Sequence, residues 1–180
     1  CYSICNEKDK LKIYEDAISE MLNNLNSENV NKVYKPIFSI NPKTCLTTNI
    51  DLGIKKFSTS CYSPNRRIYN CTSPIDREAI KKVGFRIFKD GNIIYLHGNC
   101  ENIRSAILTV ERYLEYYANK EGFLQGLFSN IRGFMIFIGY GLKEWDVIER
   151  IYKMYKANMN ADKEKEWTSC ILTPIFTHEI

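Results

Sequence analysis

The sequence predicts an α/β fold of Rossmann type, a mostly parallel sheet with helices on both faces. Three observations point there. Short β-prone runs alternate with segments of helical periodicity, as repeated βα units require. Phe134-Met135-Ile136-Phe137-Ile138 is apolar without alternation, the pattern of a central parallel strand covered on both faces. Thr44-Cys45-Leu46-Thr47-Thr48-Asn49-Ile50-Asp51 begins apolar and ends in hydroxyls, an amide and a carboxylate. Polar groups at the carboxyl end of a strand are how an open α/β sheet builds a ligand crevice.

Taken in order, Leu11, Tyr14, Ile18, Met21, Leu22 and Leu25 recur at helical spacing and predict an amphipathic helix over Asp9 to Leu25. The Asn-rich stretch from Asn23 to Asn31 reads as a turn. A short helix is expected through Val33 and Ile37 to Ile40, with Pro36 tolerable only in its first turn. A strand over Thr44 to Thr48 and a helical turn or two over Ile50 to Phe57 follow. Ser58 to Pro74 shows no periodicity and predicts a long surface loop, so 58–82 is expected to be loop and insertion with a short segment at Asp76 to Lys82. Asp90-Gly91 lies between the β-prone runs Gly84 to Phe88 and Asn92 to Leu96, a hairpin signal. Thr109 is placed to cap a helix over Val110 to Asn119, and Gly122 to Asn130 predicts another. After the Phe134 to Ile138 strand the chain breaks at Gly139-Tyr140-Gly141; Trp145 to Met159 reads as helix and Cys170 to Phe176 as a last strand.

A chain of 180 residues, 44% hydrophobic and 26% charged, can bury one core, and a single domain over 1–180 is expected. The net charge of +4 is mild and its lysines are dispersed, so no nucleic-acid partner is expected. Nothing approaches the roughly 18 to 20 apolar residues of a membrane span, and no secretory leader opens the chain. Membrane association is therefore not expected, and the reading is cytoplasmic. Seven cysteines without a Cys-x-x-Cys pair argue against structural zinc and for free thiols. Asn70-Cys71-Thr72 matches the glycosylation triplet, which matters only in a secreted protein.

Three strand ends carry candidate chemistry: Thr47 to Asp51, Leu96-His97-Gly98, and Gly139-Tyr140-Gly141 with Glu144 and Asp146 beyond. In this order they resemble the sirtuin family, and most closely its bacterial sirtuin-like branch, over about Ile37 to Ile151. The resemblance implies NAD as substrate, bound by Thr47, Thr48, Asn49, Ile50 and Asp51 on the nicotinamide side and by Gly139, Tyr140 and Gly141 on the adenine side. It implies catalytic roles for His97 and Asn49. Two departures stand out: Gly141 occupies the place of a serine, and Glu144 that of the first aspartate. A Gly-rich loop that would present backbone N–H groups to the pyrophosphate has no match, so an amino-terminally truncated domain, without its first βα unit, is expected.

The resemblance implies cleavage of the nicotinamide–ribose bond, as an NAD hydrolase acting in antiviral defence. Cleavage through an oxocarbenium-like state needs orientation, control of water and one base. An imidazole with an ordinary pKa of about 6.5 can be that base. The alternatives are an NAD-dependent protein deacylase, or a module that senses NAD or ADP-ribose, or oligomerises with itself, without catalysis. Classical deacylases of the family carry two cysteine pairs for zinc after the His-Gly motif, whereas only Cys100 and Cys170 follow it here. Plainer readings stay open for single residues. Asp51 can simply cap the next helix, His97 can be a turn residue, and Tyr113, Tyr116 and Tyr117 can be packing.

Overall fold

The computed structural model describes residues 7–61, 66–89, 91–119, 121–131, 135–138, 149, 153 and 169–172. It divides into two compact units, residues 1–114 and 115–180. In the first, α1 (Glu7–Asn23) and α2 (Ser27–Ser39) precede β1 (Thr44–Thr47), α3 (Gly53–Cys61), β2 (Ile68–Asn70), α4 (Pro74–Val83) and β3 (Asn92–Tyr95). The strands form a parallel sheet in the order β1-β3-β2. The architecture is α/β and Rossmann-like.

Registers are fixed by Cys45 opposite Ile93, Thr47 opposite Tyr95 and Asn70 opposite Tyr95. In-register residues of parallel strands share a face, so Cys45, Ile68, Ile93 and Tyr95 point together. That face is covered by α2 and α3, which contribute Val30, Phe38, Ile54 and Phe57 to one apolar cluster. Ile94 and Tyr69 are buried on the other face. All four residues of β3 are buried. The central, doubly covered strand is thus β3, and Asn92 is accommodated in it because its side-chain amide donates to the Ile87 carbonyl at 2.7 Å.

Several expectations are corrected. Asn26, inside the expected turn, caps α2 by accepting from the Glu28 N–H, so the helix begins at Ser27 and Pro36 lies well inside it. The lost N–H is tolerated in a helix anchored by burial of Val30 and Phe38. The expected loop over 58–74 contains the end of α3 and the whole of β2, and α4 follows at once. A three-residue strand with one buried side chain, Tyr69, leaves too short a pattern to recognise. The expected hairpin is absent: Gly84–Phe88 forms a 3-10 turn, and β3 pairs in parallel with β1 and β2. With parallel partners available on both sides, the Asp90-Gly91 signal is overridden.

In the second unit, α5 (Val110–Asn119) crosses the boundary and is capped by Thr109, whose Oγ1 accepts from the Arg112 N–H at 3.2 Å. It is followed by α6 (Glu121–Ser129), whose Leu124, Leu127 and Phe128 are buried. Then β4 (Met135–Ile138) pairs in parallel with β5 (Ser169–Leu172). Ile136 and Ile138 are 38% and 42% exposed, so β4 is not the strand buried on both faces that its composition suggested. The expected helix over Trp145 to Met159 lies outside the described residues except for Glu149 and Lys153, both helical and joined by an ion pair.

Candidate functional site

Parallel strands end on one edge, and the candidate residues follow those ends. The loops after β1 and β3 are bound to each other: the Leu96 N–H donates to the Thr47 carbonyl and the Cys100 N–H to the Ile50 carbonyl, both at 2.8 Å. The segments containing Asn49 and His97 therefore run side by side along the carboxyl edge of the sheet.

On the β1 side, the Asn49 N–H donates to Thr47 Oγ1 at 3.1 Å, which turns the chain and leaves Asn49 exposed and Thr48 half-buried. Asp51 Oδ1 accepts from the Gly53 N–H at 2.7 Å at the start of α3, so the helix-capping reading of Asp51 is realised. The Ile50 side chain packs beside Leu52, Cys100, Ile103 and Ala106, together with Ile18 and Leu22 of α1. Helix α1 is tied to the same loops by Ser19, whose Oγ donates to the Cys100 carbonyl at 3.2 Å, and by an Arg104–Glu15 ion pair at 2.8 Å.

On the β3 side, His97 is 7% exposed and sits edge-on to Tyr113, with ring centroids 5.9 Å apart. Its carbonyl accepts from the Ile107 N–H at 2.8 Å. Burial pushes the imidazole down to about 4, so it is neutral at physiological pH. Gly98 has φ +82°, and a Cβ there would lie 2.9 Å from Thr72 Oγ1 and 3.0 Å from Ala106 Cα. Gly98 is thus a backbone requirement of this turn.

Three residues that motif reading did not select complete this region. Tyr34 of α2 lies beside the start of α3 close to Asp51, and its phenol is pushed up to about 12 by burial first and then by the Asp51 charge. Tyr95, the last residue of β3, is fully buried, and its hydroxyl has no well-formed hydrogen bond. Burial and then Asp51 raise its pKa. Gly53 leaves room for both neighbours, since a Cβ there would lie 2.8 Å from Asp51 Oδ1 and from Tyr34 Cε2. The Asp-x-Gly spacing at a strand-to-helix junction was the available signal for Gly53; nothing in the sequence marked the tyrosines.

A cleft of about 310 Å³ opens on the β2 side, between Lys55, Asn70, Ser73, Asp76, Asn99 and Glu101. None of the residues selected from the motifs lines it. Its polar groups largely satisfy one another: Asp76 accepts from the Asn70 N–H, and Lys55 pairs with Glu101. Gly139, Tyr140 and Gly141 lie outside the described residues, so their relation to Asn49 and His97 stays an expectation. Among the described residues no group of three His, Cys, Asp or Glu is arranged to hold a metal, and no helix is long and apolar enough to cross a membrane.

In comparison with known families, the model of the SIR2-like domain matches residues 43–174. No curated protein and no solved structure matches the chain.

Proposed function

From the premise that the chain belongs to the SIR2-like domain family, we propose that it binds NAD at the carboxyl edge of the β1-β3-β2 sheet and hydrolyses the nicotinamide–ribose bond. The family uses NAD, and the finer reading is hydrolysis, as part of an antiviral defence. The observation that carries it is the pair of backbone bonds, Leu96 to Thr47 and Cys100 to Ile50, that run the Asn49 and His97 segments together.

In this reading Asn49, exposed and steadied by Thr47 Oγ1, grips the nicotinamide carboxamide. Asp51 offers the ribose its remaining carboxylate oxygen while Oδ1 stays on Gly53. His97, neutral as found, accepts a proton from a ribose hydroxyl or from the attacking water. Its pKa, lowered by burial, makes it a weak base in the free protein. Gly139 to Gly141 take the adenine-side ribose and phosphates. A bond whose leaving group is already cationic asks for this kind of orientation more than for strong acid catalysis.

The test is nicotinamide release from NAD with no acyl-lysine peptide present. Release is expected, and His97→Ala is expected to lower it by at least about a hundredfold, the scale of a lost general base, with an unchanged circular dichroism spectrum. Strict dependence on an acylated peptide points instead to a deacylase, and a fully active His97→Ala protein removes the imidazole from the mechanism. A second reading, nucleotide sensing without turnover, is favoured by Asp51 being engaged as a cap and His97 being buried. Tight ADP-ribose binding by calorimetry without nicotinamide release would establish it.

A further inference from the structure

The stretch expected to be loop and insertion, 58–82, delivers a side chain to the His97-Gly98 turn. Asn70-Cys71-Thr72, at the end of β2, is folded on itself as an Asx turn: Asn70 Oδ1 accepts from the Thr72 N–H at 3.1 Å and from the Thr72 hydroxyl at 2.6 Å. The Cys71 N–H fixes this turn to the sheet by donating to the Tyr95 carbonyl at 2.9 Å. Arg77 of α4 fixes it from the other direction, its Nη1 donating to the Cys71 and Thr72 carbonyls, both at 3.0 Å. From this anchored position Thr72 reaches Gly98, where a Cβ would lie 2.9 Å from Thr72 Oγ1 and 3.0 Å from Ala106 Cα. The hydroxyls of Thr72 and Ser105 share a hydrogen bond at 3.2 Å, and Ser105 Oγ also donates to the Asn102 carbonyl at 3.0 Å.

We propose that Thr72 is a positioning residue for His97: its hydroxyl joins the segment after β2 to Ser105 beside Gly98, and so holds the His97-Gly98 turn in one backbone conformation. Its effect on turnover rests on the reading of His97 as the base; its hold on the turn does not. Glycine enters and leaves a left-handed conformation such as the φ of +82° at Gly98 with little cost, so the direction of the side chain before it depends on what packs against the turn. The Ile107 N–H, which donates to the His97 carbonyl at 2.8 Å, follows Ser105 by two residues and is steadied with it. A general base must stand within hydrogen-bond distance of the proton it takes, so a displaced imidazole loses rate rather than ligand. The Thr72 hydroxyl makes the bridge and its methyl fills space, and Thr72→Val separates the two.

The experiment compares wild type, Thr72→Val and Thr72→Ser by amide hydrogen exchange and by the kinetics of nicotinamide release. Exchange at Ile107 reads the bond to the His97 carbonyl without any substrate, and exchange at Leu96, whose N–H donates to the Thr47 carbonyl, is the reference for overall stability. Thr72→Val is expected to speed exchange at Ile107 about five- to tenfold relative to Leu96, the scale of one net hydrogen bond. It should also lower kcat about tenfold with KM within about twofold. Thr72→Ser, which keeps the hydroxyl, should match wild type in both. Exchange at Ile107 that does not change relative to Leu96 overturns the proposal, as does an unchanged kcat in an active enzyme. If Thr72→Val does not fold, Ser105→Ala breaks the same bridge from its other end and is held to the same outcomes. A wild type that releases no nicotinamide sinks the functional reading alone, and the exchange measurement then decides the role of Thr72 by itself.

Discussion

His97 shows how far a side chain's role is set by its surroundings. The sequence offers an imidazole of ordinary pKa; burial against Tyr113 moves it to about 4. Because the folded-state value lies below the unfolded one, the unfolded chain binds more protons between the two. The stability His97 contributes is therefore full above pH 6.5 and is lost as pH falls toward 4. The difference of about 2.5 pKa units corresponds to roughly 3 kcal/mol. Denaturant titrations at pH 7 and pH 4.5 should show most of that loss, and His97→Phe should flatten it. The chain has two histidines, His97 and His178, so one variant assigns the NMR signals. A His97 Cε1–H resonance titrating near 6.5 would contradict this account. Gly98 adds a second prediction at the same motif. Gly98→Ala combines a left-handed φ with contacts of 2.9 and 3.0 Å, the second to backbone, and should destabilise by about 3 kcal/mol. A melting temperature equal to wild type would mean the loop yields easily.

Elements were legible wherever a single signal acted over enough residues. The amphipathic spacing of α1, the Thr109 cap of α5 and the polar end of β1 are all local properties, and each predicted its element within a few residues. The errors have physical causes of one kind. Gly84 to Phe88 has the β-prone composition of a strand, but Gly84 at φ +58° ends α4 and sends the chain into a 3-10 turn. That turn's Ile87 carbonyl then receives both Asn92 and Thr44 at the start of the sheet. Strand β2 is held by pairing with β3 and by the Cys71 N–H on the Tyr95 carbonyl, interactions supplied by residues far along the chain. The same division applies to the site. Asn49, Asp51 and His97 were selected as candidates because they follow strands, whereas Tyr34 comes beside Asp51 from the preceding helix α2, a relation created only by packing.

At the scale of the first unit, the two site loops are held from beneath by the sheet and from outside by α1. Ile18 and Leu22 pack on Ile50, Leu52, Cys100 and Ile103, while Ser19 and Glu15 hold the Cys100–Arg104 segment. A helix arranged in this way should influence ligand affinity without touching ligand, because loosening it frees both loops at once. Leu22→Ala, which removes a partly buried side chain, should lower stability by about 1 to 2 kcal/mol, less than a fully buried leucine. It should also weaken ADP-ribose binding several-fold. Met21 is the natural control: it precedes Leu22 on the same helix but is 68% exposed, so Met21→Ala should alter neither quantity. Chemical denaturation and calorimetry on the two variants separate the cases. If Leu22→Ala loses stability but binds ADP-ribose as the wild type does, α1 is a structural support for the core alone; if it loses both and Met21→Ala neither, the helix sets the shape of the binding edge.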